Sequence, residues 1–237
     1  CFVAGQEDGR GRWLAHAVFP LLCSACRREL RPDDHRRLCD ACWGTLVFRR
    51  APVLPAPPSV DGLFAACAYR GAIRDCLHGL KYEGRDHLAG PLGRILIDCV
   101  RGWDPLLEAD TVLPVPLHWW RAWRRDYNQA ELLARPVAAH YRWRLESRAM
   151  VRTRSTPPQT GLDRSARRKN LQGAFRVDHP EAVRGRTVVL LDDVITTGAT
   201  LGAAAEALRS AGAARVYGLA VAHADLDFVL QSGGGKS

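Results

Sequence analysis

Lysine is nearly missing from this chain: it occurs only at positions 81, 169 and 236, so the formal charge of +9 is carried almost wholly by arginine. An ammonium is a compact point charge, whereas a guanidinium is a planar fork of donors matched to phosphate oxygens. An arginine-heavy basic chain therefore points to phosphate-bearing partners, with arginine-rich codon usage as the ordinary alternative. Long apolar runs are also missing. No stretch approaches the ~20 residues needed to cross a bilayer, which excludes helical membrane insertion and predicts a cytoplasmic protein. The apolar stretch 13–22 is short for a signal core and runs directly into a cysteine cluster. Internal repeats are absent, so a solenoid is excluded. The C-terminal Ser232-Gly-Gly-Gly-Lys-Ser237 looks like the end of a phosphate loop, but Leu230 stands where the first glycine belongs and no helix follows.

What is present suits one α/β domain with an appendage. The length is 237 residues and the hydrophobic share is 47%, enough to bury a core. Four of the eight cysteines form two knuckles, Cys23-Ser-Ala-Cys26 and Cys39-Asp-Ala-Cys42, separated by twelve residues. Each CxxC turn offers two sulfurs to one metal, and two such turns complete a tetrahedral site for Zn2+. A site made of four thiolates has no open position, so its expected role is structural, stabilising a core too small to fold unaided. A pair of disulfides is the alternative, disfavoured in a reducing compartment. Cys67, Cys76 and Cys99 lie among apolar residues and read as buried small hydrophobes.

The expected division is a zinc ribbon with an N-terminal extension over 1–50, a proline-rich connector over 51–60, and an α/β domain over 61–237. Beyond the connector, apolar patterning predicts strands over 62–69, 111–115, 186–191 and 215–222. It predicts helices over 71–80, 86–101, 128–141 and 199–211, with Pro136 kinking or breaking the third. Strands alternating with helices imply a parallel sheet covered on both faces.

The most informative string is Thr187-Val-Val-Leu-Leu-Asp192-Asp193-Val-Ile-Thr196-Thr197-Gly198-Ala199-Thr200. A buried strand delivers two carboxylates to the carboxyl edge of the sheet, where ligands of parallel sheets bind. A Thr/Gly turn follows at a helix N-terminus, where backbone N–H groups and the dipole favour an anion. Two carboxylates would repel a bare phosphate, but they accept hydrogen bonds from sugar hydroxyls. The string therefore fits a ribose 5-phosphate. It closely resembles the motif of type I phosphoribosyltransferases that holds phosphoribosyl pyrophosphate (PRPP). The resemblance implies that Asp192 and Asp193 are the catalytic pair contacting ribose hydroxyls. It also implies that Thr196, Thr197, Gly198, Ala199 and Thr200 hold the 5-phosphate.

A second strand, at Val112-Leu-Pro-Val-Pro-Leu117, ends in the arginine-rich His118-Trp-Trp-Arg121-Ala-Trp-Arg-Arg125-Asp-Tyr-Asn128-Gln129. His118, Arg121 and Arg125 are candidates for gripping pyrophosphate, whose charge Mg2+ arriving with PRPP would partly neutralise. The basic segment carrying Arg152, Arg154, Thr156, Gln159, Arg167 and Asn170 has the composition of a loop that closes over a ligand. Zinc ribbon, Pro-Val-Pro-Leu, Asn-Gln, the Arg/Thr/Gln segment and the Asp-Asp/Thr-Gly turn, in this order, resemble the ComF family of competence-related proteins. The likeness runs from about Cys23 to Ala222. One departure is Asp126, where the family shows glycine, and its negative charge weighs against pyrophosphate contact at Arg125.

The resemblance implies pentosyl transfer: pyrophosphate leaves C1 of the ribose and a nucleophile joins it. The acceptor is not legible. Residues 62–86 are candidates for part of the acceptor hood, and Lys81-Tyr-Glu-Gly-Arg85 matches the family pattern, although as plain sequence it reads equally as a solvated turn. A different function is a single-stranded DNA-binding competence factor acting with other competence proteins. It is suggested by Trp119, Trp120, Trp123 and Tyr127 interleaved with Arg121, Arg124 and Arg125, and by the basic stretch 142–169. Core packing is the ordinary reading of those aromatics. A third is a PRPP-sensing regulator without turnover.

Overall fold

The computed structural model describes residues 20–31, 34, 37–49, 52–53, 55–117, 127–153 and 173–224. The main sheet has five strands: β1 (Gly62–Ala68), β2 (Thr111–Pro114), β3 (Arg144–Leu145), β6 (Thr187–Ile195) and β7 (Arg215–His223). Their spatial order is β1-β7-β6-β2-β3 and every pairing is parallel. Two three-residue strands, β4 (Met150–Arg152) and β5 (Phe175–Val177), form a separate antiparallel ribbon. The helices are α1 (Asp40–Gly44), α2 (Gly71–Tyr82), α3 (Ala89–Val100), α4 (Asp104–Leu107), α5 (Gln129–Tyr141) and α6 (Ala199–Ser210).

Side-chain alternation along β6 explains the layering. Val189 and Leu191 point into one core, with Leu77 of α2, Leu96 of α3 and Leu133 of α5. Val188 and Leu190 point into the other, with Leu201, Ala204 and Leu208 of α6 and Phe175 of β5. A strand buried on both faces must be apolar, and β6 is so from Val188 to Leu191, before it reaches its carboxylates. The expected parallel sheet with helices on both faces is what the chain forms.

Two expectations are corrected. Of the kink or break expected at Pro136 in the helix over 128–141, the break does not occur: the helix continues to Tyr141. The proline ring fills the gap over α3, where a Cβ on Gly93 would come within 2.4 Å of Pro136 Cγ. Tertiary packing of this kind outweighs the ~3 kcal/mol that proline costs inside a helix. Residues 62–68 are also not a hood: they form β1, the strand at one end of the sheet, paired with β7. On its other side β1 is covered by the chain leaving the ribbon, through Arg49 N to Ala66 O (2.9 Å) and Ala68 N to Val47 O (2.8 Å). Among the described residues no helix is long and apolar enough to cross a membrane.

Candidate functional site

β6 ends by placing Asp192 and Asp193 side by side at the carboxyl edge of the sheet, followed by the turn 196–198 and the first residues of α6. Gly198 is the N-cap of α6 with φ +73°, a conformation that costs a side-chain-bearing residue about 1–2 kcal/mol. Its missing side chain also matters, because a Cβ there would lie 3.1 Å from Leu63 Cδ2 and 3.3 Å from Pro57 Cγ. His223 at the end of β7 holds the turn through a contact of 3.2 Å between Nε2 and Thr196 O. The turn thus presents the N–H groups of a helix start, of which that of Ala199 donates to Thr197 Oγ1 at 3.4 Å, in a backbone shape fixed from below.

Next to it lies a cavity of about 150 Å3 whose walls include Asp192, Asp193, Thr200, Gln129, Lys81 and Arg152. Asp193 is nearly fully buried. Its Oδ2 receives Lys81 Nζ at 2.9 Å and the Gln129 amide at 3.2 Å. Gln129 is itself buried, and its Oε1 has no hydrogen-bond partner among the described residues. Asn128 fixes the start of α5: its Oδ1 accepts from Ala130 N (3.0 Å), and its Nδ2 donates to Val115 O in the segment after β2 (3.2 Å). That segment, 115–117, forms a further wall of the cavity. Burial, and then the charge of Asp193, push the Asp192 carboxyl up to about 7. Burial pulls Lys81 down, but the charges of Asp193 and then Asp192 outweigh it and hold the amine above its ordinary value. At neutral pH the cavity therefore contains the Lys81 ammonium and, in Asp192, a carboxyl near its titration point.

Outside the sheet domain, the four knuckle sulfurs, Cys23, Cys26, Cys39 and Cys42, all lie within 4.8 Å of one another. Cys26 Sγ and Cys39 Sγ are 3.7 Å apart. Sulfurs ~2.3 Å from a tetrahedral ion are separated by ~3.8 Å, so the donor set fits Zn2+. The first knuckle turns through Arg27 at φ +60°, with Cys23 N donating to Arg28 O (2.7 Å). The second opens α1, where Trp43 N donates to Cys39 O (2.8 Å). A cluster of this kind could hold a metal such as zinc and fits a zinc ribbon.

A family model for the phosphoribosyl transferase domain matches residues 132–227, which include both aspartates and the turn. The DNA utilization protein YhgH of Escherichia coli O6:H1 is 36% identical over 214 residues, covering 86% of this chain and 92% of that protein. Competence protein F of Haemophilus influenzae is 30% identical over 208 residues, covering 84% of this chain and 90% of that one. This chain belongs to the ComF family. Among solved structures, glutamine PRPP amidotransferase from B. subtilis, complexed with ADP and GMP, aligns with 61% of this chain at 22% identity and a TM-score of 0.38. The alignment spans 27% of that protein's length.

Within this ComF chain the structure brings Asp192, Asp193, Thr200 and Arg152 to one cavity, with Thr196, Thr197, Gly198 and Ala199 in the adjoining turn. His118, Arg121, Arg125, Arg154, Thr156, Gln159, Arg167 and Asn170 lie outside the described residues, as do Trp119, Trp120 and Trp123. Tyr127 is described and is half-buried, packed against the core with its hydroxyl donating to Leu80 O (2.7 Å). Cys67 and Cys76 are buried, and burial pushes both thiols up to about 12. Cys99 is half-buried.

The residue that the local reading misplaced is Lys81. It does not sit on a solvated turn: its side chain is 18% exposed and ion-paired to Asp193. The available signal was its rarity, a single lysine before residue 169 in an arginine-rich chain.

Proposed function

We propose that this ComF protein binds PRPP together with Mg2+ and transfers its phosphoribosyl group, releasing pyrophosphate. The observation that carries the reading is the adjacency of the Asp192–Asp193 pair to a Thr/Gly turn at a helix N-terminus with Gly198 in the left-handed region. Asp192 and Asp193 accept the ribose hydroxyls, and the backbone of Thr196 to Thr200 holds the 5-phosphate. The C1–O bond breaks with its electron pair passing to pyrophosphate, and the acceptor's lone pair forms the new bond to C1. No protein nucleophile is required. The protein's part is electrostatic, with charge arranged in advance where pyrophosphate departs. Segment 115–117, His118 and Arg121 grip that group, with a smaller share for Arg125 because Asp126 adjoins it. Arg152, Arg154, Thr156, Gln159, Arg167 and Asn170 belong to the segment that closes over it. Cys23, Cys26, Cys39 and Cys42 hold a structural Zn2+, consistent with a cytoplasmic location where thiolates stay reduced.

Calorimetry with PRPP and Mg2+, followed by a pyrophosphate-release screen over bases and amines, tests this. Expected are saturable uptake and release with at least one acceptor, both abolished in Asp193→Asn. Uptake without release across the panel would leave a PRPP sensor.

The printed names of the relatives, DNA utilization protein and Competence protein F, support a second reading as a single-stranded DNA-binding competence factor working with other competence proteins. The arginine-carried charge of +9 agrees with it. It predicts oligonucleotide binding that weakens steeply with salt and survives Asp193→Asn, with no uptake of PRPP.

A further inference from the structure

The four-cysteine ribbon reaches the cavity through α2. Leu30 and Leu38 of the ribbon share one core with Cys76, Leu77 and Leu80 of this helix. The last turn of α2 carries Lys81, and the chain then folds back so that Arg85 lies against the helix. The Arg85 guanidinium donates to the carbonyl oxygen of Ser24, inside the first knuckle. It also fills the space beside Gly79, where an added Cβ would come within 2.8 Å of Nη1. Glu83 ties the same corner together, through Arg85 Nη1 at 3.2 Å, His78 Nδ1 at 3.2 Å and Arg27 of the knuckle at 3.7 Å. From the opposite side Tyr127 anchors Leu80 O. The helix end bearing Lys81 is thus held between the ribbon and the start of α5.

Lys81 is delivered to a defined place. Its ammonium has three donors, of which Asp193 takes one. Paired with Asp193 at 2.9 Å and held above its ordinary value, the ammonium stays charged, so it is unsuited to accept a proton from an incoming nucleophile. What it offers is positive charge in a cavity that it lines together with segment 115–117 and Thr200, the last residue of the string expected to hold the 5-phosphate. A ligand whose hydroxyls competed for Asp193 would free Lys81 for the ligand's own anionic groups.

We propose that Lys81 binds the diphosphate of the phosphorylated sugar and that the four-cysteine ribbon positions it through Arg85, making the ribbon part of the binding site. The inference rests on the phosphorylated-sugar reading given above and adds a residue and a structural route to it.

The test uses the full zinc-loaded chain, with PRPP and Mg2+ as the calorimetric probe. Lys81→Gln is expected to weaken uptake by about 10–100-fold, the range for one charge-assisted contact, and Lys81→Arg to restore most of it. Arg85→Met is expected to weaken uptake by roughly 3–10-fold with one zinc per chain retained, and by less than about twofold in the Lys81→Gln background, because coupled residues are not additive. Arg85→Lys serves if the Met variant does not fold. A second measurement needs no sugar ligand. Mass-spectrometric labelling of amines follows three lysines in this chain, and Arg85→Met or Arg85→Lys is expected to raise the labelling rate of Lys81 severalfold. Wild-type affinity in Lys81→Gln overturns the binding role. An undiminished Arg85 effect in the Lys81→Gln background, or unchanged labelling of Lys81, overturns the route through the ribbon. Absence of uptake by the wild-type chain overturns the phosphorylated-sugar reading itself, which the labelling result then distinguishes from failure of the route.

Discussion

Asp192 and Asp193 are adjacent on one strand, yet their surroundings oppose each other. Asp193 has a partnered oxygen, with Lys81 and Gln129 both donating to it. Asp192 accepts the backbone N–H of Asp193 at 2.8 Å, and burial and then Asp193 push its carboxyl from the ordinary 3.8 up to about 7. The folded chain therefore keeps a proton that the unfolded chain releases above about pH 4. This costs stability progressively as pH rises from about 4, and the cost is complete above about 7. Asp192→Asn should then stabilise the unliganded chain by about 1–3 kcal/mol at pH 8 and by close to nothing at pH 4; paired urea titrations at the two values check this. Asp193→Asn should do the reverse at pH 8, losing about 1–3 kcal/mol, because it leaves the half-buried Lys81 ammonium with less compensation. If both variants shift stability the same way, the division of roles between the two carboxyls is wrong. At Gly198, alanine must adopt φ +73° and crowd Leu63 and Pro57. Gly198→Ala is expected to cost about 1–3 kcal/mol, read as a lowered denaturation midpoint.

At the scale of elements, α5 joins both halves of the cavity. Its N-cap Asn128 ties it to the segment after β2, and its first residue, Gln129, reaches β6. Asn128→Ala removes the cap and the tie, and is expected to cost about 1–2 kcal/mol in thermal unfolding. It should also loosen the cavity wall at Val115, visible as faster amide exchange there. The β4–β5 ribbon shows how short elements depend on their surroundings. Each strand has three residues, and Met150 and Phe175 insert into the same core as α6. Arg152 then stands with its guanidinium 5.6 Å from the centre of the Phe175 ring, on the wall of the cavity.

For the molecule as a whole, the ribbon and the sheet domain share buried side chains, with Cys23, Leu30, Leu38 and Leu46 in the same cluster as α2, α3 and α5. A metal in the ribbon would therefore support more than the ribbon. Chelation is expected to lower the melting temperature of the whole chain by on the order of 10 °C, equivalent to about 3–4 kcal/mol for a chain this size. It should do so in one cooperative transition. Two separate calorimetric peaks, with the later one unmoved by chelator, would show the ribbon to be an independent appendage.

Features carried by neighbouring residues were legible before folding. The two CxxC knuckles, the apolar run entering Asp192 and Asp193, the Thr/Gly turn and the alternation of strand and helix each depend on chemistry within a few positions, and local backbone geometry converts them directly into structure. Contacts made across the fold were not legible. Gln129 and Asp193 are 64 positions apart, and Arg85 and Ser24 are 61 apart. Nothing in the neighbourhood of Lys81 says that its ammonium is buried against a carboxylate; sheet order and the packing of α2 bring that about. The same holds for Pro136, whose local cost was readable but whose compensation over Gly93 belongs to another helix. Short-range chemistry specifies which groups a chain can offer. The charge state and partners of those groups follow from which distant segments exclude water around them, and that is a property of the packed molecule.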